Sequence, residues 1–260
     1  MTPIEAYYNK FNEDKRLTSR HGQVEYRVTM HYIETFLGQI DKPREQVRIL
    51  DIGAATGAYS IPLAECGYDV SAVEPVKHNI SRLRKKSSLV HAIQANALEL
   101  GAFGDAEFDL TLLFGPMYHL KSEEELEAAL SEAKRVTRPG GYLFVAYVMN
   151  EYCILTHGFR DHHILQAMQS REVDESFACT EKANPLYHIA RKEEIDKLNH
   201  KLNLQRLLLF APDGPANYMR RELNAMDEAE FEAFIAYQLA TCEREDLIGA
   251  SAHTVDILTY

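Results

Sequence analysis

"ILDIGAATGAYS", residues 49–60, passes from an apolar segment through a loop of small residues into a helical pattern. An apolar strand that leaves through glycines into a helix opens many nucleotide-binding α/β folds. Gly53 and Gly57 permit a sharp turn, and the first helical turn has N–H groups without partners inside the helix. A helix starting near Ala58 aims those donors at a polar ligand group above the strand. The pattern G-A-A-T-G-A carries Ala55 where a dinucleotide fingerprint has its second glycine, so the loop alone leaves the ligand open.

Outward from this loop, short apolar runs alternate with helical patterns: "VRILDI", "YDVSAVE", "VHAIQAN", "FDLTLLFG" and "YLFVAYVM". Each run carries branched or aromatic residues on both faces, as strands of a parallel sheet covered by helices on both sides require. Ser122 followed by Glu125 makes a capping box, after which Leu126, Ala129, Leu130 and Ala133 line one helical face. "RPGG", residues 138–141, is expected to end that helix and turn into the fifth strand. The reading is a doubly wound, mostly parallel seven-stranded α/β sheet of Rossmann-like type.

The strand rhythm stops over residues 150–190, which are expected to form a helical insertion above the sheet, a lid or acceptor pocket. "RKEEIDKLNHKLNLQRLLLF" supplies a further helix and a sixth strand, and "HTVDILTY" a seventh. Between them Asp227 and Glu230 cap a helix with Phe231, Phe234, Ile235 and Leu239 on its apolar positions. The N-terminal 1–44, including "YYNKFNEDKRLTSRHG", reads either as a cover over the site or as an amphipathic helix packed on the sheet. With 45–150 as the ligand-binding core and 191–260 completing the sheet, one domain accounts for 260 residues.

Composition narrows the partners. A net charge of −11 leaves no broad positive surface for nucleic acid and favours small ligands. "RLRKK", Arg82–Lys86, reads as a solvated helix face. Cys66, Cys153, Cys179 and Cys242 form no C-x-x-C pair, which argues for a reducing cytoplasm and against a cysteine-rich zinc site. His162 and His163 are neighbours whose side chains diverge by roughly 100° on a helix, so no metal site is assigned to them. No apolar run approaches a membrane span.

Glu74 stands 23 positions after Asp51 (74 − 51) at the end of the second strand, where a carboxylate can accept bonds from both ribose hydroxyls of an adenosine. Ribose binding suits NAD as well, and these residues alone do not separate the cofactors.

"ILDIGAATG", "VEP", "QANALEL", "FDLTLLFGPMYHL" and "RVTRPGGYLFV", in this order and spacing, resemble the class I S-adenosylmethionine-dependent methyltransferases, closely over residues 45–150. The resemblance implies S-adenosyl-L-methionine as cofactor and S-adenosyl-L-homocysteine as product. It implies that Asp51, Gly53, Ala54, Ala55 and Gly57 surround the methionine amino and carboxylate groups. Glu74 then takes the ribose, Pro75 packs near the adenine, and Asn96, Ala97 and Leu98 border its ring. Asn96 stands where many relatives have aspartate, and the middle glycine of the loop is replaced by Ala55. Phe114, Gly115 and His119 line the passage from the sulfonium to the acceptor.

Methyl transfer from a sulfonium is an in-line displacement in which the protein aligns the acceptor and excludes water. His119, with Tyr118 beside it, is the candidate catalytic group for the acceptor's proton, against the plainer reading that "YHL" shapes the pocket. "GPMY" stands where an N-P-P-Y segment would mark methylation of base or glutamine amides, and no P-C nucleophile follows the fourth strand. The expectation is a cytoplasmic methyltransferase acting on a small-molecule acceptor. An RNA or protein methyltransferase working with a partner, and a cofactor-binding protein without turnover, are the alternatives.

Overall fold

The computed structural model describes residues 3–8 and 13–260. Residues 9–12, part of the quoted N-terminal stretch, lie outside the described set.

Seven strands form one sheet: β1 Arg48–Ile52, β2 Asp69–Val73, β3 His91–Ile93, β4 Phe108–Leu113, β5 Thr137–Val148, β6 Gln205–Phe210 and β7 His253–Thr259. Their order is β3-β2-β1-β4-β5-β7-β6. Only β7 runs antiparallel, pairing on one side with β5 and on the other with β6.

Side chains alternate across the sheet as the pleat dictates. Ile49, Leu110, Leu112, Phe144, Val255 and Ile257 face the layer containing the Arg20–Leu37 and Glu228–Thr241 helices. Leu50, Ile52, Leu113, Leu143, Val145 and Leu258 face the Glu123–Val136 and Lys192–Lys201 helices. Both capping boxes form: Glu125 N–H donates to Ser122 Oγ at 3.2 Å and Glu230 N–H to Asp227 Oδ1 at 2.9 Å. The four residues expected on the inner face after Ser122 are all buried.

Three boundaries differ from the sequence reading. The helix after the glycine loop is Ser60–Glu65, two residues later than Ala58, because Gly57 at φ +89° keeps the chain turning beyond Thr56. The third strand pairs only over His91–Ile93, as the backbone peels away at Gln94 toward the pocket. "RPGG" lies inside β5 instead of preceding it. The strand starts at Thr137 opposite Phe108, and the extra residues are absorbed before Leu110 pairs with Tyr142.

The order of strands reverses between β1 and β4, since β1 is followed in sequence by β2 on one side and flanked by β4 on the other. The crevice above that reversal is the ordinary ligand position of an open α/β sheet. Residues 150–190 lie at the same edge: Asn150–Cys153, a π-helical turn Ile154–Arg160 and Ile164–Gln169, joined to the sheet through a bridge between Met149 and Ala190.

Candidate active site

A cavity of about 860 Å³ opens at the C-terminal edge of the parallel strands, within the roughly 300–1,000 Å³ of small-molecule sites. Asp51, Gly53, Ala54, Ala55, Glu74, Pro75, Asn96, Ala97, Leu98, Phe114, Gly115, Tyr118 and His119 all line it. Gly57 does not. It packs behind the loop, where an added Cβ would sit 2.9 Å from Ile61, so its positive φ and close packing explain the glycine without ligand contact. Gly53 is held as tightly: its φ is +83° and a Cβ would meet Pro116 at 2.8 Å and the Phe114 carbonyl at 2.9 Å.

Glu74 is the hinge of this wall. Its carboxylate is 4% exposed and accepts the Ala55 N–H at 2.9 Å on one oxygen and the Val76 N–H at 2.8 Å on the other, with Asn79 Nδ2 at 3.4 Å. A carboxylate is an acceptor-only group when ionised, the type of group that ribose hydroxyls bond. Besides facing the cavity, Glu74 ties the glycine loop to the start of the next helix. Ala55 pays for that arrangement conformationally, since its φ of +47° lies in the left-handed region.

Asp51 is 1% exposed and accepts a hydrogen bond from Ser60 Oγ. Burial pushes its pKa up to about 6, and the Ser60 bonds pull only partly in the other direction. A cationic group entering the cavity would relieve that burial cost. On the far side of the loop Pro75 and Asn96 are exposed at the rim and Ala97 is buried. Asn96 Oδ1 accepts the Leu98 N–H at 2.7 Å, which leaves its amide donors to the opening. An aspartate would accept the same turn bond but offer no donor.

The other half of the cavity is aromatic. Phe114 stacks edge-on against Tyr59 at 5.2 Å, and His119 lies 5.1 Å from the Tyr187 ring and 5.5 Å from that of Tyr8. His119 Nδ1 donates to the Leu186 carbonyl at 3.0 Å, which leaves Nε2 to accept the Tyr8 hydroxyl at 2.7 Å. Burial holds the ring below its ordinary pKa, so it stays neutral at neutral pH. Its lone pair is therefore engaged by Tyr8 in this conformation.

Tyr8 belongs to the helix Pro3–Tyr8, which reaches the cavity with Ile4 and Tyr7, while the Arg20–Leu37 helix packs on the sheet. Between them Asp14 anchors the segment: it accepts bonds from Thr56 Oγ1 at 2.6 Å, from Arg82 and from Lys86. The basic run is therefore not wholly a solvated face, because two of its members hold the N-terminal segment against the glycine loop. From the insertion, Tyr152, Cys153, His157 and His163 border the cavity.

Sequence reasoning did not single out Asn79, five residues after Glu74, nor Asp14, Tyr8 and Tyr187, which long-range packing brings in. It also missed His253, whose ring borders the cavity beside Tyr118. Among the described residues His253, Asp213 and Glu25 form the one grouping of metal-ligand types, with ligand atoms within 4.8 Å of one another. Asp213 there accepts from Ser251, from Asn217 and twice from His253, which fills its acceptor positions without an ion.

With this geometry in place, comparisons with known proteins are informative. Residues 50–145 match the family described as a methyltransferase domain. A demethylmenaquinone methyltransferase of Renibacterium salmoninarum is 37% identical over 100 residues, 38% of this chain and 40% of the relative. The match thus spans well under half of that enzyme's length. A glycine/sarcosine N-methyltransferase of Aphanothece halophytica is 25% identical over 181 residues, 63% of this chain and 68% of the relative. Among solved structures, the CcbJ methyltransferase from Streptomyces caelestis superposes with a TM-score of 0.60 at 15% identity, covering 98% of this chain and 95% of that one, which is a likeness of fold. No helix among the described residues is long and apolar enough to cross a membrane. Residues 50–145 thus match a methyltransferase domain, in a chain whose fold is that of S-adenosylmethionine-dependent methyltransferases.

Proposed function

We propose that this chain transfers the methyl group of S-adenosylmethionine to a small-molecule acceptor, held between the glycine loop and the aromatic half of the cavity. The observation that carries this reading is the division of one cavity into two chemically different halves. One wall offers backbone amides and the Glu74 and Asp51 carboxylates, and the other offers the rings of Tyr118, His119 and Tyr187. The polar wall suits a charged amino acid and a ribose; the aromatic wall suits a flat or apolar acceptor.

The cofactor, when bound, supplies an activated methyl group on a positively charged sulfur. The protein's part is alignment and exclusion of water. Gly53, Ala54 and Ala55 offer backbone to the methionine end, with the Asp51 carboxylate for its ammonium. Glu74 takes the ribose hydroxyls, and Pro75, Asn96, Ala97 and Leu98 border the adenine. Phe114 and Gly115 flank the path of the methyl group. Tyr118 and His119 shape the acceptor side, and His119 fixes the Tyr8 hydroxyl over it. A small acceptor is favoured because the Arg82–Lys86 run is partly consumed by Asp14 and the net charge is −11. The relatives named above act, by their names, on demethylmenaquinone and on glycine or sarcosine, which are small molecules.

The test is formation of S-adenosylhomocysteine by purified protein given S-adenosylmethionine and a panel of phenols, hydroxyquinones and amines. Acceptor-dependent product supports methyl transfer. A protein that binds the cofactor but gives no product with any of them, nor with RNA or cell protein, would be a cofactor-binding protein without turnover.

A further inference from the structure

The geometry points to His253, oriented by Asp213, as the group that takes the proton from the methyl acceptor, and so to a hydroxyl, in particular a phenol, as the acceptor. This rests on the proposed methyl transfer and adds its chemistry.

Three strand ends meet at the acceptor side. β5 ends at Val148, which borders the cavity, and His253 opens β7 directly opposite it in register. Asp213 follows the end of β6, the next strand over. Because β7 alone is antiparallel, its first residue lies at the edge where the parallel strands finish. Neighbouring strands are about 4.8 Å apart, so β7 lies two strands, roughly 10 Å, from β4 and on the side away from β1 and β2. This is the acceptor half of the cavity, and the His253 ring lies 6.4 Å from that of Tyr118.

His253 Nδ1 donates to Asp213 Oδ2 at 2.7 Å, while the His253 backbone N–H donates to Oδ1 at 3.1 Å. Asp213 is itself fully buried and fixed by Ser251 Oγ and by Asn217 Nδ2 at 2.7 Å. The side chain of His253 is 24% exposed and, among the described residues, nothing bonds its Nε2. A base held in one tautomer by a buried carboxylate, with its second nitrogen in a ligand cavity, is the arrangement of a general base. His119 differs on this point, since its Nε2 is taken by Tyr8.

The surroundings favour a proton on this ring. Burial pulls the His253 pKa down, but Asp213 and Glu25 more than offset it and leave it above the ordinary histidine value. The charged and titratable groups around it are Asp213, Glu25 with its partner Arg16, His21 and Arg220 behind them, and Tyr118 beside it.

An amine attacks through a lone pair it already has, whereas a hydroxyl oxygen becomes a good nucleophile only as its proton leaves. In the step assigned here the acceptor O–H bond breaks toward His253 Nε2 and an oxygen electron pair forms the new bond to the methyl carbon. The carbon–sulfur bond breaks with its electrons remaining on sulfur, giving the neutral thioether. His253 ends as an imidazolium paired with Asp213 and releases its proton to solvent.

The test compares wild type, His253→Gln and Asp213→Asn. Calorimetric binding of S-adenosylmethionine is expected to agree within about twofold across the three, because the pair lies on the acceptor side. Methyl transfer to phenols is expected to fall roughly 100- to 1,000-fold in His253→Gln at pH 7.5. Its loss of rate at low pH, set by a group titrating above 6.5 in wild type, should vanish. Asp213→Asn should lower the rate with the fold kept, since an amide does not hold the same tautomer. In parallel, imidazole nitrogen NMR of the S-adenosylhomocysteine-loaded protein should show His253 Nε2 responding to added phenol. Full phenol methylation by His253→Gln with an unchanged pH profile would overturn the proposal, as would a phenol that leaves the His253 signal unmoved. Phenol-responsive Nε2 without product from any acceptor would instead remove the methyl-transfer reading and keep His253 as a hydroxyl-binding group.

Discussion

The Glu74 carboxylate accepts the Ala55 backbone N–H at 2.9 Å, tying the end of β2 to the loop that leaves β1. One side chain thereby shapes the loop and presents a carboxylate to the cavity, where the proposed function assigns it to the ribose. Replacing it should hurt binding and folding together.

Glu74→Ala is expected to weaken S-adenosylmethionine roughly ten- to several-hundred-fold, since each charge-assisted bond is worth about 1.5–3 kcal/mol. It should also lower the melting temperature of the ligand-free protein, because the Ala55 and Val76 N–H groups lose their acceptor. Calorimetry and thermal unfolding measure the two effects separately. Unchanged affinity would remove Glu74 from the site.

Asp51 should behave in the opposite way on stability. Its folded pKa of about 6 lies above the ordinary 3.8, so the folded chain holds the proton to higher pH than the unfolded chain. The ionised form therefore costs stability, not at all below about 3.8 and in full above about 6, to the order of 3 kcal/mol. Asp51→Asn is expected to raise the melting temperature at pH 7 and to weaken S-adenosylmethionine at least tenfold. In wild type, binding of the ammonium should release a proton near pH 6 and weaken as pH falls below 6, which calorimetry in buffers of different ionisation heat detects.

Ala55→Gly relieves the left-handed strain at φ +47°, worth about 1–2 kcal/mol, against an entropic cost of up to about 1 kcal/mol. The expected result is a melting temperature equal to or above wild type with cofactor affinity within a few-fold. A clear loss of stability would mean that the methyl group packs usefully where it is.

Asp14→Ala cuts the link between the N-terminal segment and the Thr56, Arg82 and Lys86 side chains. Hydrogen exchange over residues 13–20 should quicken and cofactor affinity should fall several-fold, with added salt narrowing the gap to wild type. Equal exchange in both proteins would contradict the anchoring role.

What the sequence disclosed was local. The strands, both capping boxes and the inner face Leu126, Ala129, Leu130 and Ala133 follow from periodicities and hydrogen bonds that span a few residues. The placement of Asp51, Gly53 and Glu74 at strand ends also followed from the βαβ order, and the structure brings all three to one cavity. Gly57 was expected beside the ligand and is found packed against Ile61, because a glycine that avoids a side chain looks the same in sequence as one that admits a ligand. The acceptor side was hidden because it depends on distant pairs. Tyr8 meets His119 across 111 residues, and His253 meets Asp213 across 40, through an antiparallel strand whose direction the sequence does not announce.

The most direct measurement is calorimetric titration of purified, ligand-stripped protein with S-adenosylmethionine, S-adenosylhomocysteine and NAD in parallel. Saturable 1:1 binding of both adenosyl sulfur compounds, lost together in Glu74→Ala, with no heat from NAD, is the predicted result. A folded, empty protein that takes neither sulfur compound, or that takes NAD instead, would contradict the methyl-donor site at Asp51, Gly53 and Glu74.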